Sequence, residues 1–262
     1  MAKASGIITL YKQVNTSKGT YMDIAQQETL KADFDRDGFV MIRDFFPKEQ
    51  IDEICRRAEN ATKDIKYSGM FSNVTKGLER LDDYFGELLH NGPQVHILEM
   101  LLGKKPEATT ASFFTKNEND QEIHPHSDAM QGGVIWVALD EVNKQNGCLQ
   151  FLKGSYLREE EFAHLKASEP TDLSDHPDLA EAAMNPGDIV FFRPTTVHWS
   201  GPNLDGSERR GFNCFYVGNH YKDWGKNMGR KVIKKVKDGI KNVLYPQRLR
   251  RELGKTQGGG HP

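Results

Sequence analysis

Residues 124–139 have the sequence HPHSDAMQGGVIWVAL, and His126-Ser127-Asp128 within this stretch decides how the rest of the chain is interpreted. In an extended strand, side chains two residues apart point to the same face. His126 and Asp128 can therefore both face one cavity, while Ser127 points away. With a second imidazole from a distant strand, they would supply two histidines and one carboxylate to one face of a metal ion. That set leaves the opposite face open, which suits non-haem Fe(II) that must bind a cosubstrate and O₂.

Two residues further along the chain fit this arrangement. His198 lies in the segment PTTVHWSGPN, residues 194–203, and Arg209 opens a predicted strand. An arginine inside a barrel needs an anionic partner, because a buried unpaired charge is costly. Its planar guanidinium can hold a carboxylate through two parallel hydrogen bonds. The far carboxylate of 2-oxoglutarate fits this position, with the keto-acid end of the molecule on the metal.

Neighbouring residues offer alternatives at each position. His124 shares the strand face of His126, but a site of three histidines would lack the carboxylate that Fe(II) sites favour. Arg210 competes with Arg209, and only one of two adjacent strand residues can point inward; we favour Arg209. Trp136, considered by itself, is a core aromatic residue.

Composition is typical of a soluble globular protein with a full core. The chain has 262 residues, of which 37% are hydrophobic and 27% charged, and the formal net charge of -2 gives no argument for nucleic acid binding. No apolar run is long enough for a membrane span, and residues 1–10 are too weakly apolar for a secretory signal. Cys55, Cys148 and Cys214 lack metal-type spacing, so we expect reduced thiols and a cytoplasmic protein. We expect a monomer or a homodimer.

Hydrophobic periodicity and turn residues predict the elements along the chain. Asn146-Gly147 predicts a tight hairpin, and Pro186-Gly187-Asp188 predicts a turn. The predicted helices are 21–35, 47–62, 78–89, 95–102, an insertion at 158–184 and a basic helix at 228–245; the predicted strands are 39–42, 112–115, 133–139, 149–152, 189–193, 197–200 and 211–217.

Short strands separated by turns favour a double-sheet jelly roll with helices packed outside, a mainly β fold with helices (α+β). We expect one domain over residues 1–262. Within it we predict an extension at 1–20, a mainly helical part at 21–107, the jelly-roll core at 108–217 and the basic C-terminal helix region at 226–255.

Several motifs in this order resemble the phytanoyl-CoA dioxygenase (PhyH) family of Fe(II)/2-oxoglutarate-dependent oxygenases. The matching segments are Asp37-Gly38-Phe39-Val40, His126-Ser127-Asp128, Asn146-Gly147-Cys148-Leu149, Lys153-Gly154-Ser155, Pro186-Gly187-Asp188-Ile189-Val190-Phe191-Phe192, and the run from His198 through Arg209.

The resemblance implies a cupin-like double-stranded β-helix core with iron on His126, Asp128 and His198. It also implies that Arg209, helped by Ser200, binds 2-oxoglutarate, and that Trp136 packs beside the cosubstrate. The reaction it implies decarboxylates 2-oxoglutarate to succinate and CO₂ and hydroxylates an unactivated C–H bond.

Two positions depart from the family pattern, and a third is informative. Ser127 stands where Gln is common, and Tyr156 where His is common; neither change removes an implied ligand. Relatives that halogenate have a small residue at the position of Asp128, so its carboxylate indicates oxygen transfer instead.

The substrate is predicted to be a small polar or amphipathic metabolite, since loops over a rigid scaffold usually hold binding residues. Desaturation, cyclisation or epimerisation with the same cofactors stays open, as does a non-catalytic binding protein on the same barrel. The candidate substrate residues are Tyr21, Tyr67, Phe71, Asn73, Phe113, Lys116 and Met130.

Overall fold

The computed structural model describes residues 10–12, 14–16, 19–63, 74–117, 122–128 and 130–217. Contacts divide the chain into two units, Met1–Asn219 and His220–Pro262, and every described residue belongs to the first. The predicted basic helix at 228–245 lies outside the described residues, and the single-domain assignment stays a prediction.

Short strands and a smaller number of helices make up the described part. Its strands are β1 (Leu10–Lys12), β2 (Val14–Thr16), β3 (Gly19–Tyr21), β4 (Phe39–Arg43), β5 (Val74–Lys76), β6 (Glu107–Lys116), β7 (Ile123–His126), β8 (Gly132–Ala138), β9 (Leu149–Leu152), β10 (Leu179–Ala182), β11 (Ile189–Phe192), β12 (His198–Ser200) and β13 (Arg209–Val217). Its helices are α1 (Ile24–Asp37), α2 (Lys48–Thr62), α3 (Asp83–Asn91), α4 (Pro93–Leu102) and α5 (Glu159–Phe162).

Two sheets form the barrel. The larger has the strand order β1-β4-β11-β8-β13-β6-β5, and the smaller has the order β10-β9-β12-β7. Pairing within them is antiparallel, except that β1 runs parallel to β4. The mainly β fold class with added helices is therefore confirmed.

The larger sheet is buried on both faces. One face meets the smaller sheet in a cluster where Phe39 of β4 stacks on Phe151 of β9, with ring centroids 4.5 Å apart. The other face packs against helices; Phe212 of β13 lies 5.6 Å from Phe85 of α3. Since side chains alternate along a strand, the odd positions of β13 that include Arg209 face the barrel interior and the even ones face the helices.

Local sequence signals set the ends of α1. Asp23 accepts a hydrogen bond from the Gln26 backbone N–H at 2.8 Å, and the Gln26 side chain accepts one in return at 3.1 Å, which is a capping box. Gly38 ends the helix at φ 85°, a left-handed conformation that glycine adopts without strain.

The prediction of a helical insertion at 158–184 is wrong. Only Glu159–Phe162 is helical; turns follow, and the segment ends in strand β10. Pro170 and Pro177 cannot donate a backbone hydrogen bond in a helix, and Asp172 instead accepts one from the Ser174 N–H at 2.9 Å.

Two further predictions need correction. The helix predicted at 78–89 is divided into a 3₁₀ turn, Leu78–Arg80, and α3, because Asp82 caps a new helix by accepting from the Tyr84 N–H at 2.9 Å. Asn146-Gly147 forms a turn but not a tight hairpin, since β8 and β9 on either side of it belong to different sheets.

Candidate metal and cosubstrate site

The imidazole rings of His126 and His198 lie next to each other on two neighbouring strands of the smaller sheet. β7 and β12 are antiparallel neighbours in which His126 and His198 are direct partners, and their ring centroids are 4.4 Å apart. His126 Nδ1 lies 2.8 Å from the His124 carbonyl oxygen, and His198 Nδ1 lies 2.8 Å from the Thr196 carbonyl oxygen. A carbonyl only accepts, so each Nδ1 donates to it, and Nε2 is the ring nitrogen left for a metal. This is the tautomer that metal-ligating histidines use.

The surroundings of His198 keep its ring neutral. The side chain is buried, and the rings of Phe192 and Phe151 lie 4.9 Å and 6.4 Å from it. Burial, and then the neighbouring His126, lower the pKa of His198 to about 4, against the opposing charge of Asp128. At neutral pH the imidazole is therefore in the form that binds a metal.

Asp128 occupies the position after β7 where the chain turns back toward β8. Its backbone N–H donates to the Pro194 carbonyl at 2.8 Å, which ties the turn to the segment that leads into β12. No three His, Cys, Asp or Glu side chains within the described ranges lie close enough together to hold a metal ion. Metal binding by His126, Asp128 and His198 therefore requires the Asp128 carboxylate to close on the two imidazoles.

Arg209 is a buried cation in the barrel interior. Its side chain is 6% exposed, and among the described residues its Nε has no hydrogen-bond partner and its guanidinium forms no ion pair. Burial lowers its pKa to about 10. Because an isolated buried charge is unfavourable, this position fits an anionic ligand that supplies the missing acceptor.

Trp136 of β8 lies under this guanidinium. The Arg209 Cζ atom is 5.4 Å from the centroid of the indole, within range of a cation–π interaction. Gly211, two residues after Arg209 on the same face of β13, makes room for the ring, since a Cβ there would lie 2.3 Å from Trp136 Cζ2. Trp136 thus belongs both to the core between the sheets and to the wall beside Arg209.

Ser200 and Lys116 complete the polar residues around Arg209. Lys116 is the direct strand partner of Arg209, and it is buried. Its Nζ donates to Ser200 Oγ at 2.8 Å, to the Ser200 carbonyl at 3.4 Å and to the Gly201 carbonyl. Lys116, predicted as a substrate residue, therefore lies at the predicted cosubstrate end of the site.

The two alternative residues named from the sequence, Arg210 and His124, each have other contacts in the structure. Arg210 faces the other side of the sheet from Arg209, where it pairs with Asp140 at 2.7 Å and with Glu59. His124 lies 3.6 Å from Glu122, and its backbone carbonyl orients His126.

Phe113 was predicted among the substrate residues, and its placement corrects that prediction. It pairs with Phe212 on the face of the larger sheet that packs against the helices, so it is a core residue. Its neighbours alternate, and Phe114 rather than Phe113 shares the inner face with Lys116.

The structure describes only part of the remaining substrate candidates. Met130 is partly buried and follows the metal motif, before β8. Tyr67, Phe71 and Asn73 lie outside the described residues, and for Tyr21 only the backbone, in β3, is described.

Sequence reasoning did not single out two residues of this region. Asn203 is fully buried; its side-chain amide donates to the Lys116 carbonyl at 3.0 Å, and its Oδ1 has no partner among the described residues. Gly211 carried a usable signal, because a glycine inside a strand often marks a close approach of another group. Asn203 carried none, since asparagine is common in loops.

The motifs and their geometry agree with comparisons to known proteins. The family model for phytanoyl-CoA dioxygenase (PhyH) matches residues 34–211, more than half of the chain. The chain belongs to the phytanoyl-CoA dioxygenase family. The match contains both histidines and the aspartate described above, together with Arg209.

Individual relatives of this PhyH-family chain are distant. The human peroxisomal phytanoyl-CoA dioxygenase is 21% identical over 253 residues, covering 81% of this chain and 75% of the human protein. Among solved structures, the non-haem α-ketoglutarate-dependent epimerase SnoN from nogalamycin biosynthesis has a TM-score of 0.62 at 20% identity, covering 74% of this chain and 84% of the epimerase. The carbocyclase SnoK from the same biosynthesis has a TM-score of 0.61 at 18% identity, covering 72% and 83%.

These comparisons confirm the predicted family and the class of enzyme. The family consists of non-haem oxygenases that depend on Fe(II) and 2-oxoglutarate and use O₂, which are the cofactors predicted from the sequence. SnoN has also been solved in complex with Fe³⁺, α-ketoglutarate and nogalamycin RO. In the part of the chain that the structure describes, no helix is both long and apolar enough to span a membrane.

Proposed function

We propose that this protein is an Fe(II)- and 2-oxoglutarate-dependent hydroxylase that acts on a small polar or amphipathic molecule. The observation that carries the proposal is the buried guanidinium of Arg209, which has no ion-pair partner among the described residues and lies in the same barrel as two imidazoles whose Nδ1 atoms face backbone carbonyls. A buried cation that pairs with no described anion, together with two imidazoles whose Nε2 atoms are available, fits a metal and a dicarboxylic cosubstrate.

His126, His198 and Asp128 are the residues that would hold the metal. Their donor set, two imidazoles and one carboxylate, leaves positions open on Fe(II) for other ligands. The backbone carbonyls of His124 and Thr196 fix each ring by accepting from its Nδ1–H, and such partners orient and strengthen the ligand. When bound, the iron supplies the activation of O₂ that is coupled to oxidation of 2-oxoglutarate to succinate and CO₂.

Arg209 and Ser200 are the residues that would bind the far carboxylate of 2-oxoglutarate. The guanidinium offers paired donors, and a carboxylate there would satisfy the buried cation. Trp136 supplies an apolar wall on one side of it. These contacts would fix the cosubstrate in one orientation and exclude water from its path.

A second type of reaction with the same cofactors, epimerisation or ring closure, is also a candidate. SnoN and SnoK, which share the fold, are named as an epimerase and a carbocyclase. Hydroxylation makes the product heavier by one oxygen atom, cyclisation or desaturation makes it lighter by two hydrogens, and epimerisation leaves its mass unchanged. The carboxylate of Asp128 counts against halogenation, in which the family has a small residue.

The test is a panel of small polar and amphipathic compounds, screened for substrate-stimulated succinate formation with Fe(II), 2-oxoglutarate and ascorbate, followed by the mass of the consumed compound. The variants His126→Ala and Asp128→Ala should each lose metal binding and turnover. His124→Ala is the matched control, because it removes a nearby imidazole but keeps the backbone carbonyl that orients His126. Equal metal affinity in all of these variants and the wild type would overturn the metal assignment, and a non-catalytic binding protein predicts no succinate with any compound.

A further inference from the structure

Lys116 and Arg209 place two buried cations side by side in the barrel. They are direct partners on β6 and β13, both on the interior face, and each is less than a tenth exposed. Like charges opposite each other in a sheet are destabilising. Arg209 forms no ion pair with the described residues, so an anionic ligand beside its guanidinium would offset this repulsion.

The hydrogen bonds of Lys116 also fix the role of the Ser200 hydroxyl. A lysine ammonium has three donors and no acceptor, so Ser200 Oγ must accept from it at 2.8 Å. The hydroxyl proton of Ser200 therefore points to a different acceptor, and none lies in hydrogen-bond range among the described residues. A carboxylate at this position would be that acceptor.

We propose that Lys116 is a positioning residue for 2-oxoglutarate. It holds Ser200 as a hydrogen-bond donor toward the far carboxylate of the cosubstrate, and it acts on the cosubstrate through this hydroxyl. This inference rests on the proposed function. It gives Lys116 a role at the cosubstrate end of the cavity, away from the substrate.

The experiment measures 2-oxoglutarate binding by calorimetry with Mn(II) in place of iron, so that it needs no turnover. Lys116→Met removes the charge and the donors at similar length, and Ser200→Ala removes the hydroxyl. Each should weaken 2-oxoglutarate binding about tenfold, the scale of one charge-assisted hydrogen bond. Because Lys116 acts through Ser200, the double variant should also lose about tenfold, where independent effects would give about a hundredfold.

Two readouts separate this role from a structural one. Mn(II) affinity should be unchanged in Lys116→Met, and so should affinity for pyruvate, which has the keto-acid end but lacks the far carboxylate. Where Lys116→Met does not fold, Lys116→Gln replaces it, with the same expected loss. The amide keeps a donor for the Gly201 carbonyl, while its own oxygen can take the Ser200 proton.

The outcomes distinguish the inference from the function on which it rests. If the wild type binds 2-oxoglutarate with Mn(II) and the Lys116 variants bind it equally well, the role of Lys116 is overturned while the proposed function stands. An additive loss in the double variant would overturn the route through Ser200. Failure of the wild type to bind 2-oxoglutarate would overturn the proposed function itself.

Discussion

At the scale of single residues, Arg209 is a buried cation that forms no ion pair with the described residues. Its replacement by methionine should weaken 2-oxoglutarate binding about a hundredfold, because hydrogen bonds to charged groups contribute about 1.5–3 kcal/mol. The same change should raise the free energy of unfolding of the ligand-free protein by about 1 kcal/mol, since it removes a buried charge that has no ion-pair partner among the described residues. Calorimetric titration and urea unfolding measure the two effects.

Arg210→Met is the matched control for that change. Arg210 is adjacent in sequence but lies on the opposite face, paired with Asp140 and Glu59. We expect this variant to keep its 2-oxoglutarate affinity and to lose stability. The reverse pattern, with binding lost in Arg210→Met and kept in Arg209→Met, would contradict the assignment of Arg209 to the cosubstrate.

Gly211 leads to a prediction about packing. Gly211→Ala would place a Cβ 2.3 Å from the indole of Trp136 and should lower the free energy of unfolding by about 1–3 kcal/mol, the usual cost of overpacking. Gly86→Ala is the control, because in α3 the nearest atom to a new Cβ is 3.7 Å away; there alanine should stabilise by about 0.5–1 kcal/mol. Urea unfolding compares the two, and equal stabilities would show that Trp136 moves aside freely.

Residue types and spacing were enough to propose most of the site, but not its hydrogen bonds. The period of two along a strand predicted that His126 and Asp128 share a face, and it separated Arg209 from Arg210. The contact between Lys116 and Ser200 could not be predicted, because it joins strands of different sheets that are 84 residues apart in sequence. Phe113 was assigned to the wrong face because the register of β6 relative to β13 depends on tertiary pairing.

At the scale of elements, Asp188 joins β4 to the start of β11. Its buried carboxylate accepts from the side chain of Arg43, from the Asp44 N–H at 2.9 Å and from the Asn185 N–H at 2.7 Å. Asp188→Asn should lower the free energy of unfolding by about 3–5 kcal/mol, since it leaves the Arg43 charge without its partner.

An exposed ion pair is the control for Asp188. Asp178 is 39% exposed and pairs with Arg158 at 2.8 Å, so Asp178→Asn should cost less than about 1 kcal/mol in the same urea titration. If the two aspartates gave equal losses, the link between β4 and β11 would not be the reason for the effect.

Elements with strong local signals were predictable, and those that depend on pairing were not. The segment 149–152 was predicted with its observed bounds, and the helix predicted at 47–62 differs from α2 by one residue. β10 was missed because Leu179–Ala182 has little strand character of its own and forms by pairing with β9. Likewise, a helical pattern at 158–184 could not outweigh two prolines.

At the scale of the whole molecule, the larger sheet separates two environments. Its outer face packs on helices and is apolar, whereas its inner face carries Trp136, Arg209 and Lys116 toward the smaller sheet, which carries the two imidazoles. The polar groups of the site are therefore buried by the same packing that holds the barrel together. Protonation of a buried imidazole should consequently affect the stability of the whole domain.

The pKa of His198 predicts how the stability of the protein depends on pH. Its pKa is lowered to about 4 in the folded protein, below the ordinary value of about 6.5 in the unfolded chain, so between these values the unfolded state binds more protons. The stabilisation is complete above about pH 6.5 and is lost as pH falls toward 4, by about 3 kcal/mol in total. Urea unfolding of the metal-free protein in a chelator, from pH 7.5 down to about 4.5, measures it. His198→Gln should flatten this dependence, and the exposed His90→Gln should follow the wild type. If wild type and His198→Gln lost stability in parallel, other groups would account for the acid sensitivity and the imidazole of His198 would titrate normally.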